Sequence, residues 1–280
     1  MNSVAVIGAG TMGAGIAQAA ALAGYEVVVY DVTEEIVAKA RGRLWVSIEA
    51  GVAKGKTPAA VAEKARNALR FTTSLAEAAT ADLIIEAAPE QLALKREIFS
   101  TLDKNAPPAT ILASNTSSLS INVLAAATGR PDRFLGLHFF NPAHLMKLVE
   151  VVRGDFTSDE TIQAALAFVE RVGKTAVLCR DTPAFIVNRV ARPFYGEALR
   201  LLGEQAADVA TLDKLVRSLG FRMGPFELID LIGCDVNLAV TQSVYEAFFH
   251  DPKYRPHPIQ QRMVESGRLG RKSGRGFYEY

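Results

Sequence analysis

His138 lies within "LGLHFFNPAHLMKLVEVV", residues 135 to 152, where nearly every neighbour is apolar. An ionisable ring in such a run needs a partner or a task. Strand alternation puts Leu135, Leu137 and Phe139 on one face and Gly136, His138 and Phe140 on the other. "NP" then ends the strand, and the chain re-enters extended structure at "KLVEVV". A hairpin-like return would bring Glu150 beside His138. A buried carboxylate against an imidazole fixes the ring tautomer and stabilises the imidazolium formed on taking a proton from an alcohol. A purely structural His–Glu pair is the alternative. Of the other histidines, His250 and His257 flank a proline-rich loop and read as exposed. His144 follows "NPA" in a turn, and its closeness to His138 leaves its role open.

A second chemical signal stands at the start. "VAVIGAGTMGAG" places Gly8, Gly10 and Gly13 in G-x-G-x-x-G, with Thr11 and Met12 between the last two, after a strand and opening a helix. Gly8 allows the turn, Gly10 lets backbone approach a pyrophosphate, and Gly13 lets helix and strand pack closely. The next strand ends in Asp31, where a carboxylate can accept from a ribose hydroxyl. That acid would repel a 2′-phosphate, so NAD is favoured over NADP. Arg41 and Arg43 follow, with the spacing of a solvated helix face.

Polar residues also crowd one strand end. In "ASNTSSLS", Asn115, Thr116, Ser117 and Ser118 follow an apolar run; Ser118 or Ser120 reads as a helix cap for "INVLAAA". Capping does not need four polar residues, so at least one is expected to face a ligand. Asn188 in "TPAFIVNRV" is polar in an otherwise apolar turn, and could serve a ligand or a neighbouring helix.

The elements that must position these groups alternate. Strand-like runs "SVAVIG", "YEVVVYD", "ADLIIEAA", "TILAS", "RFLGLHFF", "KLVEVV" and "TAVLC" are separated by helical patterns, among them Thr33 to about Ala53 and "TPAAVAEKARNAL" with Thr57 as cap. Such alternation implies an α/β fold, a doubly wound, largely parallel sheet covered on both faces. From Pro183 the pattern turns helical, over about 183–204, 208–219 and 224–250, followed by a proline-rich loop and a glycine-rich basic tail. The expected organisation is therefore a Rossmann-like dinucleotide domain, 1–182, and an all-α domain, 183–280.

Bulk properties exclude several classes. A net charge of +1 with no basic stripe argues against nucleic acid. Cys179 and Cys234 are far apart with no C-x-x-C spacing, so neither a disulfide nor a metal framework is expected. No apolar run reaches the ~18 residues of a membrane span, and the first residues enter a strand at once, leaving no room for a signal peptide. A cytoplasmic protein is expected. No tyrosine has a lysine four residues on, so the Y-x-x-x-K pair of short-chain dehydrogenases is missing.

The blocks "VIGAGTMGAGIAQ", "SNTSSLSI", "GLHFFNPAHLMKLVEVV", "DTPAFIVNRV", "GFRMGPFELIDLIG" and "GRKSGRGFYEY" resemble, in order and spacing, the L-3-hydroxyacyl-CoA dehydrogenase family across essentially the whole chain. The resemblance implies NAD-dependent interconversion of 3-hydroxyacyl-CoA and 3-ketoacyl-CoA, as in fatty-acid β-oxidation, by a homodimer formed through the helical domain. It implies His138 as general base, Glu150 as its orienting partner, and Ser117 and Asn188 on the substrate's reacting oxygens. Glu90, Lys95, Asn115 and Asn141 match positions lining the nicotinamide and its ribose. Lys54 and Lys56 fall where the family's CoA contacts lie. "CRDTPAFIVNRVARPFYGEALRLL" resembles family members of phenylacetate breakdown that act on 3-hydroxyadipyl-CoA, and Arg192 is placed where a distal carboxylate could be paired. Competing readings are a dehydrogenase of a small free hydroxy acid, resembling the λ-crystallins, and a non-catalytic NAD-binding or structural protein.

Overall fold

Short runs rich in Val, Ile and Leu form β1 (Ser3–Ile7), β2 (Glu26–Tyr30), β3 (Leu69–Thr72), β4 (Leu83–Glu86), β5 (Ile111–Ser114), β6 (Phe134–Phe139), β7 (Leu148–Arg153) and β8 (Thr175–Arg180). They pair into one eight-stranded sheet of order β3-β2-β1-β4-β5-β6-β7-β8. All neighbours run parallel except β6 and β7. The computed structural model describes all residues, Met1–Tyr280, and divides into two compact units, Met1–Thr182 and Pro183–Tyr280.

In the first unit the sheet is wrapped by α1 (Thr11–Leu22), α2 (Glu34–Ala53), α3 (Ala59–Ala68), α4 (Leu75–Ala78), α5 (Leu92–Asn105), α6 (Ile121–Ala125) and α7 (Asp159–Arg171). Parallel strands need such crossovers, and the helices bury both faces. On one face Val4, Val6, Val27, Val29, Leu135, Leu137 and Phe139 share a core with Ile16 of α1, Leu44 and Ile48 of α2, and Phe168 of α7. On the other, Phe99 of α5 meets Phe134 edge-on, with ring centroids 4.6 Å apart. Gly136 faces α6 so closely that a Cβ there would lie 2.8 Å from Ile121 Cδ1. Strand order reverses at β1, which has β2 on one side and β4 on the other. The crevice where open α/β sheets take ligands lies outside the carboxyl ends there.

The second unit consists of α8 (Val187–Gly203), α9 (Val209–Ser218), α10 (Pro225–Ile232), α11 (Cys234–Ala247) and α12 (Pro258–Glu265). Phe226, Ile229, Leu199 and Cys234 anchor its core. Two buried aspartates order the glycine-rich tail: Asp230 accepts from the Phe277 and Tyr278 N–H groups, and Asp213 accepts from the Tyr278 hydroxyl.

Several local expectations need correcting. β3 follows α3 directly, where the helical pattern reads on through Leu69. Helix α3 begins at Ala59 with Pro58 as its extended N-cap, one position later than a Thr57 cap would give. The stretch 224–250 is two helices, because Gly233 takes φ +102° between α10 and α11. α12 occupies part of what reads as loop. His257 is half-buried rather than exposed, and its Nδ1 accepts the Ile259 N–H at the start of α12.

Candidate active site

Register builds the central pair. β6 and β7 run antiparallel with His138 directly opposite Glu150, so both side chains leave the same face of the sheet. Nδ1 of His138 lies 2.6 Å from Glu150 Oε2. His138 is 5 % exposed and Glu150 fully buried, and Phe140 packs against the ring with centroids 4.5 Å apart. A charge-assisted bond in such a dry place fixes ring orientation strongly. His144, by contrast, is exposed on the turn after β6. Desolvation and the nearby Lys174 ammonium lower its pKa, and the carboxylate brace belongs to His138 alone of the two.

The glycine loop has two kinds of glycine. A Cβ on Gly8, which has φ +102°, would sit 2.7 Å from the Ala87 carbonyl oxygen, and one on Gly13 would sit 1.8 Å from that of Gly8. The chain's own packing demands both. A Cβ on Gly10 would meet nothing within 4 Å, so Gly10 leaves room for something other than the protein. It is also the N-cap of α1, with no side chain bonded to the helix's first N–H groups. Asp31, beyond β2, holds the loop: its Oδ2 accepts from the Ala9 N–H at 2.7 Å and its Oδ1 from the Val32 N–H. Each oxygen keeps a lone pair for a ribose hydroxyl. Thr11 and Met12 stand at the helix mouth. Arg43 is not merely solvated, since its Nη2 reaches back to the Ala9 carbonyl at 3.0 Å; Arg41 lies over the Phe71 ring.

Between these two features a carboxylate network shapes the loop after β5. Glu90 Oε1 accepts from Thr116 Oγ1 (2.6 Å), Ser117 N–H (3.0 Å) and Ser118 N–H (3.2 Å), with Ser117 Oγ at 3.5 Å. Burial opposes ionisation of Glu90, but Lys95 and these donors outweigh it and hold the carboxyl below its ordinary pKa. Lys95 is 1 % exposed, its Nζ 2.5 Å from Glu86 Oε1 and 3.3 Å from Glu90 Oε2. It therefore charges the loop from beneath. Glu86 is a residue that sequence reasoning missed. Fully buried at the end of β4, it also accepts from Ser114 Oγ and the Ala88 N–H. An acid closing the apolar run "DLIIE" was the available signal. Asn115 Oδ1 accepts the Phe139 N–H at 2.9 Å, tying this loop to the strand of His138. Ser120, not Ser118, caps α6, and Asp181 holds its hydroxyl.

The remaining candidates are more scattered. Asn141 is exposed at the end of β6, beside the cis bond to Pro142. Lys54 and Lys56 are exposed around the end of α2. Asn188 and Arg192 belong to the second unit, one turn apart on α8.

A glycine loop at the switch point, an acid after the second strand and a carboxylate-braced histidine near the strand ends are the kinds of group that dinucleotide-dependent alcohol dehydrogenases employ. Comparison with known proteins agrees. The sequence model for "3-hydroxyacyl-CoA dehydrogenase, NAD binding domain" matches residues 3–182, and that for the C-terminal domain of the same family matches 185–280. The 3-hydroxyadipyl-CoA dehydrogenase of Escherichia coli K12 is 47 % identical over the whole chain, which spans 59 % of that longer protein. A probable 3-hydroxybutyryl-CoA dehydrogenase of Bacillus subtilis is 44 % identical, and the chain spans 98 % of it. The crystal structure of (S)-3-hydroxybutyryl-CoA dehydrogenase from Ralstonia eutropha superposes with TM-score 0.96 at 41 % identity, covering 100 % of this chain and 99 % of that one. This chain belongs to the 3-hydroxyacyl-CoA dehydrogenase family, and its first unit is that family's NAD-binding domain.

Proposed function

We propose that the chain oxidises the 3-hydroxyl of a (3S)-3-hydroxyacyl-CoA to the 3-ketoacyl-CoA, reversibly and with NAD. The buried His138–Glu150 pair, 2.6 Å apart at the end of the strand, carries this reading. β6 stands three strands from β1 in the sheet, roughly 14 Å at ~4.8 Å per strand. The open space at Gly10, the uncapped start of α1 and the Asp31 carboxylate fit a dinucleotide. NAD, when bound, supplies the acceptor for the hydride leaving C3.

The chain's own residues do the rest. The first N–H groups of α1 and the loop at Gly10 bind pyrophosphate, and Asp31 accepts from ribose. His138 takes the hydroxyl proton at Nε2, because Nδ1 is committed to Glu150. Glu150 holds the ring and offsets the charge it gains. Ser117 and Asn188 hold the substrate oxygens, and fixing the reactants in place supplies much of the acceleration. Glu90, Lys95, Asn115 and Asn141 shape the nicotinamide end, while Lys54 and Lys56 meet the CoA phosphates. A homodimer through the second unit fits the exposed Val190, Leu219 and Phe249. Two free cysteines suit a reducing, cytoplasmic compartment. With short simple chains the reaction would serve β-oxidation; with a dicarboxylic chain, phenylacetate breakdown.

Oxidation of NADH, followed with acetoacetyl-CoA and 3-ketoadipyl-CoA, tests the reading. Turnover of at least one, with free CoA competing, is expected. NADH binding without turnover of either, or turnover of free hydroxy acids that CoA leaves untouched, would overturn it.

A further inference from the structure

Helix α8 carries a guanidinium that its own unit does not neutralise. Arg192 is 5 % exposed, and its acceptors are all uncharged. Nη1 donates to the Asn237 carbonyl (3.0 Å) and Thr241 Oγ1 (2.9 Å), and Nε donates to the Asn188 carbonyl (3.2 Å). Nη2 donates to no protein atom, and the guanidinium lies over the Tyr195 ring at 4.9 Å. Burial pulls its pKa down to about 10, which still leaves it charged at neutral pH.

A second observation comes from the residue Arg192 touches. Asn237 is 1 % exposed, its Oδ1 accepts from Gln260 Nε2 at 2.7 Å, and its buried Nδ2 has no hydrogen-bond partner. Buried cations ordinarily keep an acid, and buried donors ordinarily keep an acceptor. Here one buried polar network lacks both. An anion with two oxygens would supply them, and a carboxylate matches the guanidinium fork.

Spacing bears on which carboxylate. Asn188 and Arg192 are four residues apart, about 6 Å along the helix. In a six-carbon dicarboxylic acyl chain, three C–C bonds of about 1.5 Å separate C3 from the far carboxyl carbon, roughly 4 Å in all. A chain held at its C3 oxygen by Asn188 would thus bring its far end within hydrogen-bonding reach of the next turn.

We propose that Arg192, together with the Asn237 amide, receives the distal carboxylate of a dicarboxylic 3-hydroxyacyl-CoA about six acyl carbons long. This rests on the acyl-CoA reading above and on Asn188 holding the reacting oxygen. Arg192 is then a specificity-determining residue, and a simple acyl chain leaves its guanidinium unanswered.

The test compares 3-ketoadipyl-CoA with its C6 methyl ester on the wild-type enzyme, with acetoacetyl-CoA as a third substrate. The acid is expected to exceed the ester in kcat/KM by roughly 10- to 100-fold, the worth of a charged hydrogen-bond pair. Arg192→Leu should bring that ratio close to one, and Arg192→Lys should restore part of it. Equal turnover of acid and ester by the wild type overturns the receptor while leaving the dehydrogenase reading intact. So does an Arg192→Leu enzyme that keeps the ratio. Failure to reduce any of the three substrates overturns both.

Discussion

His138 is held by a residue twelve positions away, Glu150, whose Oε2 lies 2.6 Å from its Nδ1, and substitution of either tests the proposed role of the pair. His138→Gln is expected to bind NADH as the wild type does while kcat falls about 10²–10⁴-fold. Stopped-flow turnover beside a fluorescence titration checks this; near-normal turnover would transfer the role, with His144 the first suspect. Glu150→Gln keeps the shape but removes the charge opposite the imidazolium. It should lose activity on a similar scale, mainly in kcat. Glu90 gives a pH prediction. Its folded pKa is lowered, so its ionised form contributes stability above the ordinary carboxylate value of 4.5. That contribution is lost as pH falls through the lowered value. Glu90→Gln should therefore melt below the wild type at pH 7, and the gap should close in acid. A gap constant from pH 7 to pH 3 would show that Glu90 does not clamp the Thr116–Ser118 loop through its charge.

At the scale of elements, the two kinds of glycine separate packing from binding. Gly13→Ala drives a Cβ into the Gly8 carbonyl and should cost at least about 1–3 kcal/mol by strain, read as a lower melting temperature. Gly10→Ala should melt near the wild type yet bind NADH at least ~10-fold more weakly, because the only thing it crowds is the ligand. If Gly10→Ala bound NADH normally, the pyrophosphate would have to lie elsewhere. What was legible beforehand follows the same division. Strand period, the glycine spacing and the antiparallel return are carried by neighbouring residues, so the His138–Glu150 meeting could be read from the letters. β3 could not, because its first residue, Leu69, continues the helical pattern and the four residues become a strand only by pairing with β2. Nor could the burial of Lys95 against Glu86, or the reach of Arg43 to Ala9. Long flexible side chains find such partners only once distant segments have been brought together, and no local period records it.

For the whole molecule, the exposed apolar residues of the second unit lead to a prediction about mass. Val190, Leu219 and Phe249 are 69 %, 72 % and 92 % exposed, and the proposed homodimer through this unit would cover such side chains. Sedimentation equilibrium at micromolar concentration should give about twice the chain mass of 30.2 kDa; a single-chain mass would reject the homodimer. The pairing of β6 with β7 also bears on how activity is counted in any preparation. Side chains alternate strictly along a strand, so a slip of one residue would turn Glu150 to the far face and set a valine across from the histidine. Misfolded molecules would be silent rather than sluggish. Bulk specific activity should then scale with the correctly zipped fraction, and surviving molecules in a stressed sample should keep an unaltered KM.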